Sequence, residues 1–146
     1  MNGYLYSGSY SPSPEPLLSY TYSKEGSIPH PFNTPVFCDG MWTDCWPDTN
    51  SPPASDFYDG DGYDQNGFGR IAISRHGSNS AGTAPRNVAV GAPLPGSINI
   101  VFVEGHASIV KLGGLWQFEW HIGWVAPTAI PQSQIIQELE KLYKNE

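Results

Sequence analysis

Ile98-Asn99-Ile100-Val101-Phe102-Val103-Glu104-Gly105-His106-Ala107-Ser108-Ile109-Val110-Lys111-Leu112 is the stretch that decides the fold. β-Branched residues crowd both halves, and the two-residue connection Glu104-Gly105 separates them. Such residues suit a pleated, half-buried surface, and a glycine-bearing connection this short turns the chain back on itself. Residues 98–103 and 106–112 are therefore expected to form a β-hairpin. The first run is apolar on both of its faces, which predicts a central strand.

Upstream, Phe68-Gly69-Arg70-Ile71-Ala72-Ile73-Ser74 reads as a strand leading into Arg75-His76-Gly77. Thr34-Pro35-Val36-Phe37-Cys38-Asp39 reads as a short buried strand ending in a turn at Asp39-Gly40. Residues 1–35 alternate Tyr, Ser and Pro, and the prolines block both helix and central strand, leaving extended chain or an edge strand. Downstream, Trp116, Phe118, Trp120, Ile122 and Trp124 alternate with Gln117, Glu119, His121 and Gly123. A helical reading would add Glu119 and Gly123 to the tryptophan face, so an extended segment is preferred. Ile135, Ile136, Leu139, Leu142 and Tyr143 follow helical spacing, with Pro131 ahead and Lys141 and Lys144 in the last turn. Two loops, 47–67 and 77–96, are rich in Gly and Pro, and loops this long tend to carry function. The expected fold is α+β and mostly β: a small antiparallel sheet with a central hairpin, long Gly/Pro-rich loops and a short C-terminal helix. One globular domain, 1–127, is expected ahead of an amphipathic tail, 128–146.

Composition agrees with a small aromatic-weighted core. The chain has 146 residues with 16 Gly and 14 Pro, and its 5 Trp, 8 Tyr and 6 Phe supply much of the apolar area. A long-helix bundle or coiled coil is excluded. The net charge of −7 belongs to one segment. No Lys or Arg lies between Lys24 and Arg70, whereas Asp39, Asp44, Asp48, Asp56, Asp59, Asp61 and Asp64 do; the remaining acids and bases balance. Sparse, unclustered bases give no footprint for nucleic acid and no polybasic membrane patch. No run reaches the roughly 20 apolar residues of a membrane span. Met1-Asn2-Gly3-Tyr4 has neither the basic nor the apolar region of an export signal.

Four constellations bear on chemistry. Asp59, Asp61, Asp64 and Asn66 put oxygen-bearing side chains within eight residues of flexible backbone. This reads either as a solvated acidic turn or as a loop wrapped around calcium, which takes six to eight oxygen ligands. The EF-hand pattern fails, because Tyr63, Asp64 and Arg70 occupy its fifth, sixth and twelfth positions. Cys38 and Cys45, with six residues between them, leave both a disulfide and two free thiols open. His76, His106 and His121 could converge on a metal or a catalytic water, although their spacing matches no local zinc motif. The five tryptophans admit sugar stacking, with core packing the commoner use.

The pieces around the hairpin resemble a known family. Arg75-His76-Gly77, Pro95-Gly96-Ser97 running on to Glu104-Gly105-His106, Leu115-Trp116 and Trp120-His121 resemble the bacterial pseudopilin-like family named for a histidine, nine intervening residues and Asp-Gly, with a type II secretion prepilin-type N-terminus. Thr34-Pro35-Val36-Phe37 with Asp39, Trp42 and Trp46-Pro47 looks like that family's middle region. Met1-Asn2-Gly3-Tyr4 looks like its internal Tyr-Gly-Asn-Gly-type stretch. The resemblance covers residues 1–127 and departs from the pattern three times. Between His76 and Glu104 lie residues 77–103 in place of nine, so loop 77–96 reads as an insertion. Glu104 replaces the family's Asp. The leader and long hydrophobic N-terminal helix, through which pilin-like proteins are anchored in the membrane and packed in the fibre, are not in this chain.

What the resemblance implies is an exported, non-enzymatic head domain, extracytoplasmic in the periplasm or at the cell surface. Its partners would be itself or other pilin-like subunits in a fibre, and its membrane contact would run only through the absent N-terminal helix. Major pseudopilins hold calcium in a head-domain loop, which implies calcium for Asp59, Asp61, Asp64 and Asn66. His76, Glu104, Gly105, His106, Trp116, Trp120 and His121 would be structural, with His76 hydrogen-bonded near the Glu104-Gly105 turn and fixing the hairpin against 68–74. The alternatives are a secreted glycan- or surface-binding module using tryptophan faces, and a metal-dependent hydrolase built on His76, His106 and His121.

Overall fold

The computed structural model describes residues 1–5, 19–61, 67–77, 81–89 and 91–131. Three strands, β1 (Pro35–Cys38), β2 (Ser97–Phe102) and β3 (Ala107–Lys111), form one antiparallel sheet in the order β1-β2-β3. The expected hairpin is β2–β3, paired from Ser97 with Lys111 to Val101 with Ala107. Its turn closes where the Gly105 N–H donates to the Phe102 carbonyl at 2.9 Å, and Gly105 takes a φ of 103° that disfavours any side chain. β2 is central, as expected, but only one face is buried. Ile98, Ile100 and Phe102 point into the core, whereas Asn99 and Val101 are exposed. β1 is likewise half-exposed rather than buried, with a register shift between Pro35 and Phe37 where proline cannot donate to the ladder.

The other helical elements among the described residues are short 3-10 turns, such as Pro31–Asn33, Phe68–Arg70 and Leu112–Gln117. The fold is thus a small, mostly-β domain with few helical residues. No described helix is long and apolar enough to cross a membrane. The expected C-terminal helix lies outside the described residues.

One expected strand, 68–74, is absent, and the expected extended segment at 116–124 takes another form. Residues 68–74 are buried without interruption, but Phe68–Arg70 is a 3-10 turn and the rest is irregular. Their backbone groups bond locally, as from Ala72 N to Phe68 O at 2.7 Å, and to loops, as from Ser74 N to Phe57 O at 2.8 Å. A continuous apolar run marks burial and does not fix a strand. Arg70 also has to enter the interior to meet Asp44, 2.7 Å away. Segment 116–124 is not extended either. Leu112, Leu115, Trp116 and Trp120 are buried while Gln117 and Ile122 are exposed, a three-to-four-residue periodicity carried by a 3-10 turn and irregular chain.

The core joins the inner face of β2–β3 to Phe68, Ile71, Ile73, Trp116 and Trp120. Phe68 is its aromatic centre, with ring centroids 4.2 Å from Trp116 and 5.5 Å from Trp120. The N-terminus is built into this core. Asn2 lies between β1 and Cys45, donating its N–H to Val36 O at 2.8 Å, while Gly3 N–H donates to Cys45 O at 2.8 Å. Gly3 lies so close to the Trp46 indole that an added Cβ would overlap the ring.

Candidate functional site

The residues that carry the family resemblance fall into three separate clusters. The first surrounds His76, where the chain returns to the sheet beside Ser97. The two backbones exchange hydrogen bonds of 2.9 and 2.7 Å. His76 Nε2 lies 3.0 Å from Asp39 Oδ2 and 2.8 Å from the Asn99 side-chain amide. One nitrogen cannot both donate to Asp39 and accept from an amide N–H. With Nε2–H donating to Asp39, the Asn99 amide must present its oxygen to the ring. Asp39 Oδ2 also accepts from the Asn99 backbone N–H at 2.8 Å. His76 therefore links the end of β1 to β2.

That location corrects the expectation for His76. It sits at the start of β2, while the Glu104-Gly105 turn follows the strand's far end, so six residues of extended chain separate them. Nor does 68–74 offer a strand against which the hairpin could be fixed.

The second cluster is the turn itself. His106 Nδ1 hydrogen-bonds the Glu104 carboxylate, and its ring stacks between Phe102 at 4.3 Å and Phe32 at 4.4 Å. The third is aromatic. The indole N–H groups of Trp116, Trp120 and Trp124 donate to Ser51 O, Leu115 O and Trp116 O at 3.0, 2.9 and 3.1 Å. His121 is buried there, donating from Nδ1 to Ile122 O at 2.8 Å and packed on Tyr4, Tyr20 and Trp124. Burial lowers its pKa, favouring the neutral ring with its proton on Nδ1.

His76, His106 and His121 thus have three distinct sets of partners and do not converge. Among the described residues, no group of three or more His, Cys, Asp and Glu could hold a metal. Trp116 and Trp120 are buried and offer no face for sugar stacking, while Trp42 is exposed with the Arg70 guanidinium 5.9 Å from its ring.

In the acidic loop, both oxygens of Asp61 accept from the Ser55 N–H at 2.8 Å, and Oδ1 also accepts from the Ser55 hydroxyl at 2.9 Å. Asp56 Oδ1 accepts from the N–H groups of Tyr58 and Asp59. Asp59 pairs with Arg86 at 2.7 Å, and the guanidinium lies 4.0 Å from the Tyr58 ring. The loop that reads as unopposed in sequence is met by a cation from loop 77–96. Among the residues expected to hold calcium, Asp59 and Asp61 are engaged in these bonds, and Asp64 and Asn66 lie outside the described residues.

Sequence reasoning missed Asn2 and Arg70. Asn2 is fully buried, its Nδ2 donating to Pro35 O and Trp120 O at 2.9 Å each and its Oδ1 accepting from Tyr4 N at 3.1 Å. The Met1-Asn2-Gly3-Tyr4 stretch does not itself reveal where the carbonyl partners of Asn2 lie.

The outer face of the sheet is more apolar than a solvent face requires. Phe37, Val101 and Ile109 are exposed on it, by 54, 36 and 68 %. Phe37 and Val101 are register partners, and Asn99 pairs with Ile109. β3 forms the sheet's edge. Phe102 N–H donates to His106 O and Leu112 N–H to Gly96 O, so even-numbered residues of the hairpin's second arm bond to β2. The backbone groups of Ala107, Ile109 and Lys111 therefore point to the open side.

This combination defines a small β domain whose resemblance-bearing polar residues are occupied in internal bonds and whose sheet keeps one apolar face and one edge uncovered among the described residues. Compared with family models, with curated proteins and with solved structures, the chain matches none.

Proposed function

We propose that this chain is a non-enzymatic structural subunit: the globular head of a pseudopilin-like, prepilin-type protein of a secretion or surface-fibre system, working outside the cytoplasm. The α+β division into a head, 1–127, and a helical tail, 128–146, belongs to the same reading. Calcium plays no part in the argument for it.

The observation that carries the proposal is the β3 edge, uncovered among the described residues, on a sheet whose outer face exposes Phe37, Val101 and Ile109. Unpaired edges and apolar sheet faces invite further chain, and proteins that must stay apart blunt them with charge, proline or bulges. Here the edge carries one charge, Lys111. The partner is a second copy of this chain. Antiparallel pairing centred on Ile109 sets Ile109 opposite Ile109 and Ala107 opposite Lys111, so no like charges meet.

Sedimentation over a concentration series tests this. The head should associate reversibly, and Ile109→Lys should abolish association without lowering the melting temperature. A protein that stays monomeric throughout the series, or an Ile109→Lys variant that associates as well as wild type, would overturn it.

A further inference from the structure

Three of the histidines meet a carboxylate: His30 with Glu119, His76 with Asp39 and His106 with Glu104. His106 is held between two phenyl rings. At His76 a further polar side chain, Asn99, meets the same ring nitrogen. One Nε2–H thus lies between Asp39 Oδ2, 3.0 Å away, and the amide atom assigned above as the Asn99 oxygen, 2.8 Å away. Backbone bonds set the position of each member. His76 exchanges two with Ser97, Asp39 N–H donates to Asn99 O at 3.1 Å, and Asn99 N–H donates to Asp39 Oδ2 at 2.8 Å. Gly77, with a φ of 117°, allows the chain after His76 to pass the sheet, because a Cβ there would lie 2.9 Å from Gly96 Cα. The trio is also open to water: the His76 and Asp39 side chains are 44 and 33 % exposed, and Asn99 is exposed.

We propose that His76 Nε2, Asp39 Oδ2 and the Asn99 amide oxygen form a site for a divalent transition-metal ion of the nickel or copper type. The ion takes the place of the proton on Nε2, which moves to Nδ1 of the same ring. The spacing of the donors selects the class of ion. With metal–ligand bonds of about 2.1 Å, donors 2.8–3.0 Å apart subtend about 85–90° at the metal, whereas a tetrahedral site needs them about 3.4 Å apart. Right angles among nitrogen and oxygen donors suit tetragonal or octahedral copper and nickel, and the imidazole disfavours magnesium and calcium. Two of the three donors come from His and Asp and the third is an amide, so the site is an open one whose remaining positions are filled by water. A bound ion joins the chain at residues 39, 76 and 99 and stabilises the folded state by mass action.

The test uses the full chain with nickel and copper chlorides as probes. Calorimetric titration should show one saturable Ni²⁺ site, and the melting temperature should rise with the ion. Asn99→Ala and Asp39→Asn should each weaken binding at least about tenfold, since each removes or neutralises a direct ligand. Asn99→Asp, which exchanges the amide oxygen for a carboxylate, should tighten binding, a gain that misfolding cannot imitate. Wild type supplies a check that needs no variant: substoichiometric Cu²⁺ should broaden the amide NMR signals around residues 39, 76 and 99 before those around His30 and His106. An absence of saturable binding, Asn99 variants that bind as wild type does, or first broadening around His30, His106 or the N-terminus would overturn the proposal.

Discussion

At the N-terminal seam, Asn2 is wholly buried and each of its three side-chain hydrogen bonds goes to a backbone group. At the acidic loop, Asp59 meets Arg86 with side chains 60 and 49 % exposed. Both contacts join segments that, among the described residues, have little regular structure. They differ in what replaces them when they are lost. Water can solvate Asp59 and Arg86 in place of each other, whereas the carbonyls of Pro35 and Trp120 and the N–H of Tyr4 meet the Asn2 side chain away from water. The cost of leaving a buried polar group unmade exceeds the gain from making a bond at the surface. The seam should therefore carry stability, and the acidic loop should carry shape.

The strongest way to break that contrast is Asn2→Ala. It orphans three backbone groups at about 1 kcal/mol or more each, so urea unfolding should show a loss of about 3–4 kcal/mol, a large share of a small domain's stability. A loss below about 1 kcal/mol would mean that the seam is ornamental and that the contrast fails.

Asp44→Ala comes next. Arg70 is 7 % exposed at its side chain and Asp44 23 %, with 2.7 Å between them. Removing the carboxylate leaves a guanidinium in the core and should cost about 3 kcal/mol. Replacing both partners together, with Arg70→Met and Asp44→Leu, should cost less than the single change, since no buried charge then remains. Equal losses in single and double variants would show that desolvation is not the term that matters there.

These two residues also mark how far the sequence could be read. The β2–β3 hairpin was legible because its signals are local: β-branched runs on either side of a glycine-bearing turn. β1 was legible for the same reason, down to its end before Asp39-Gly40. Asn2 was not, because its partners lie 33 and 118 positions away and nothing in Met1-Asn2-Gly3-Tyr4 names them. Residues 68–74 misled because an apolar run records burial without recording backbone shape. Trp116–Trp124 misled because five apolar residues at period two outweighed the helical spacing, although Leu112, Leu115, Trp116 and Trp120 are buried at intervals of one to four. The acidic segment was located correctly, but its neutralising cation was hidden in Arg86, 27 positions from Asp59. Among the site residues, His76's partners Asp39 and Asn99 emerge only from the way β1 pairs with β2.

A pH series sharpens the comparison with a titrating group at the seam. His121 packs on Tyr4, and burial lowers its pKa from an ordinary value of 6.5. The unfolded chain therefore binds the proton more readily than the folded one. His121's contribution is complete above about pH 6.5 and is lost as pH falls from there through its lower folded value, below which it stays constant. Melting temperature should drop across that interval, and His121→Gln should flatten the drop. An unchanged profile in the variant would assign the acid sensitivity to another group.

The smallest effect should come from Arg86→Ala. Its ion pairs with Asp56 and Asp59 are 3.5 and 2.7 Å long, but all three side chains are at least a quarter exposed. Exposed pairs of this kind contribute about 0–1 kcal/mol, and the stacking on Tyr58 adds about 0.5–1 kcal/mol at such a site. The variant should therefore lose about 1 kcal/mol at low salt and less at high salt, where screening has already weakened the pairs. The informative readout is local: proteolysis within 55–61 and 81–89 should quicken while global unfolding scarcely moves, because the carboxylate bonds of Asp56 and Asp61 to neighbouring backbone remain. A global loss as large as that of Asn2→Ala would place the acidic loop among the supports of the core and erase the distinction between the two regions.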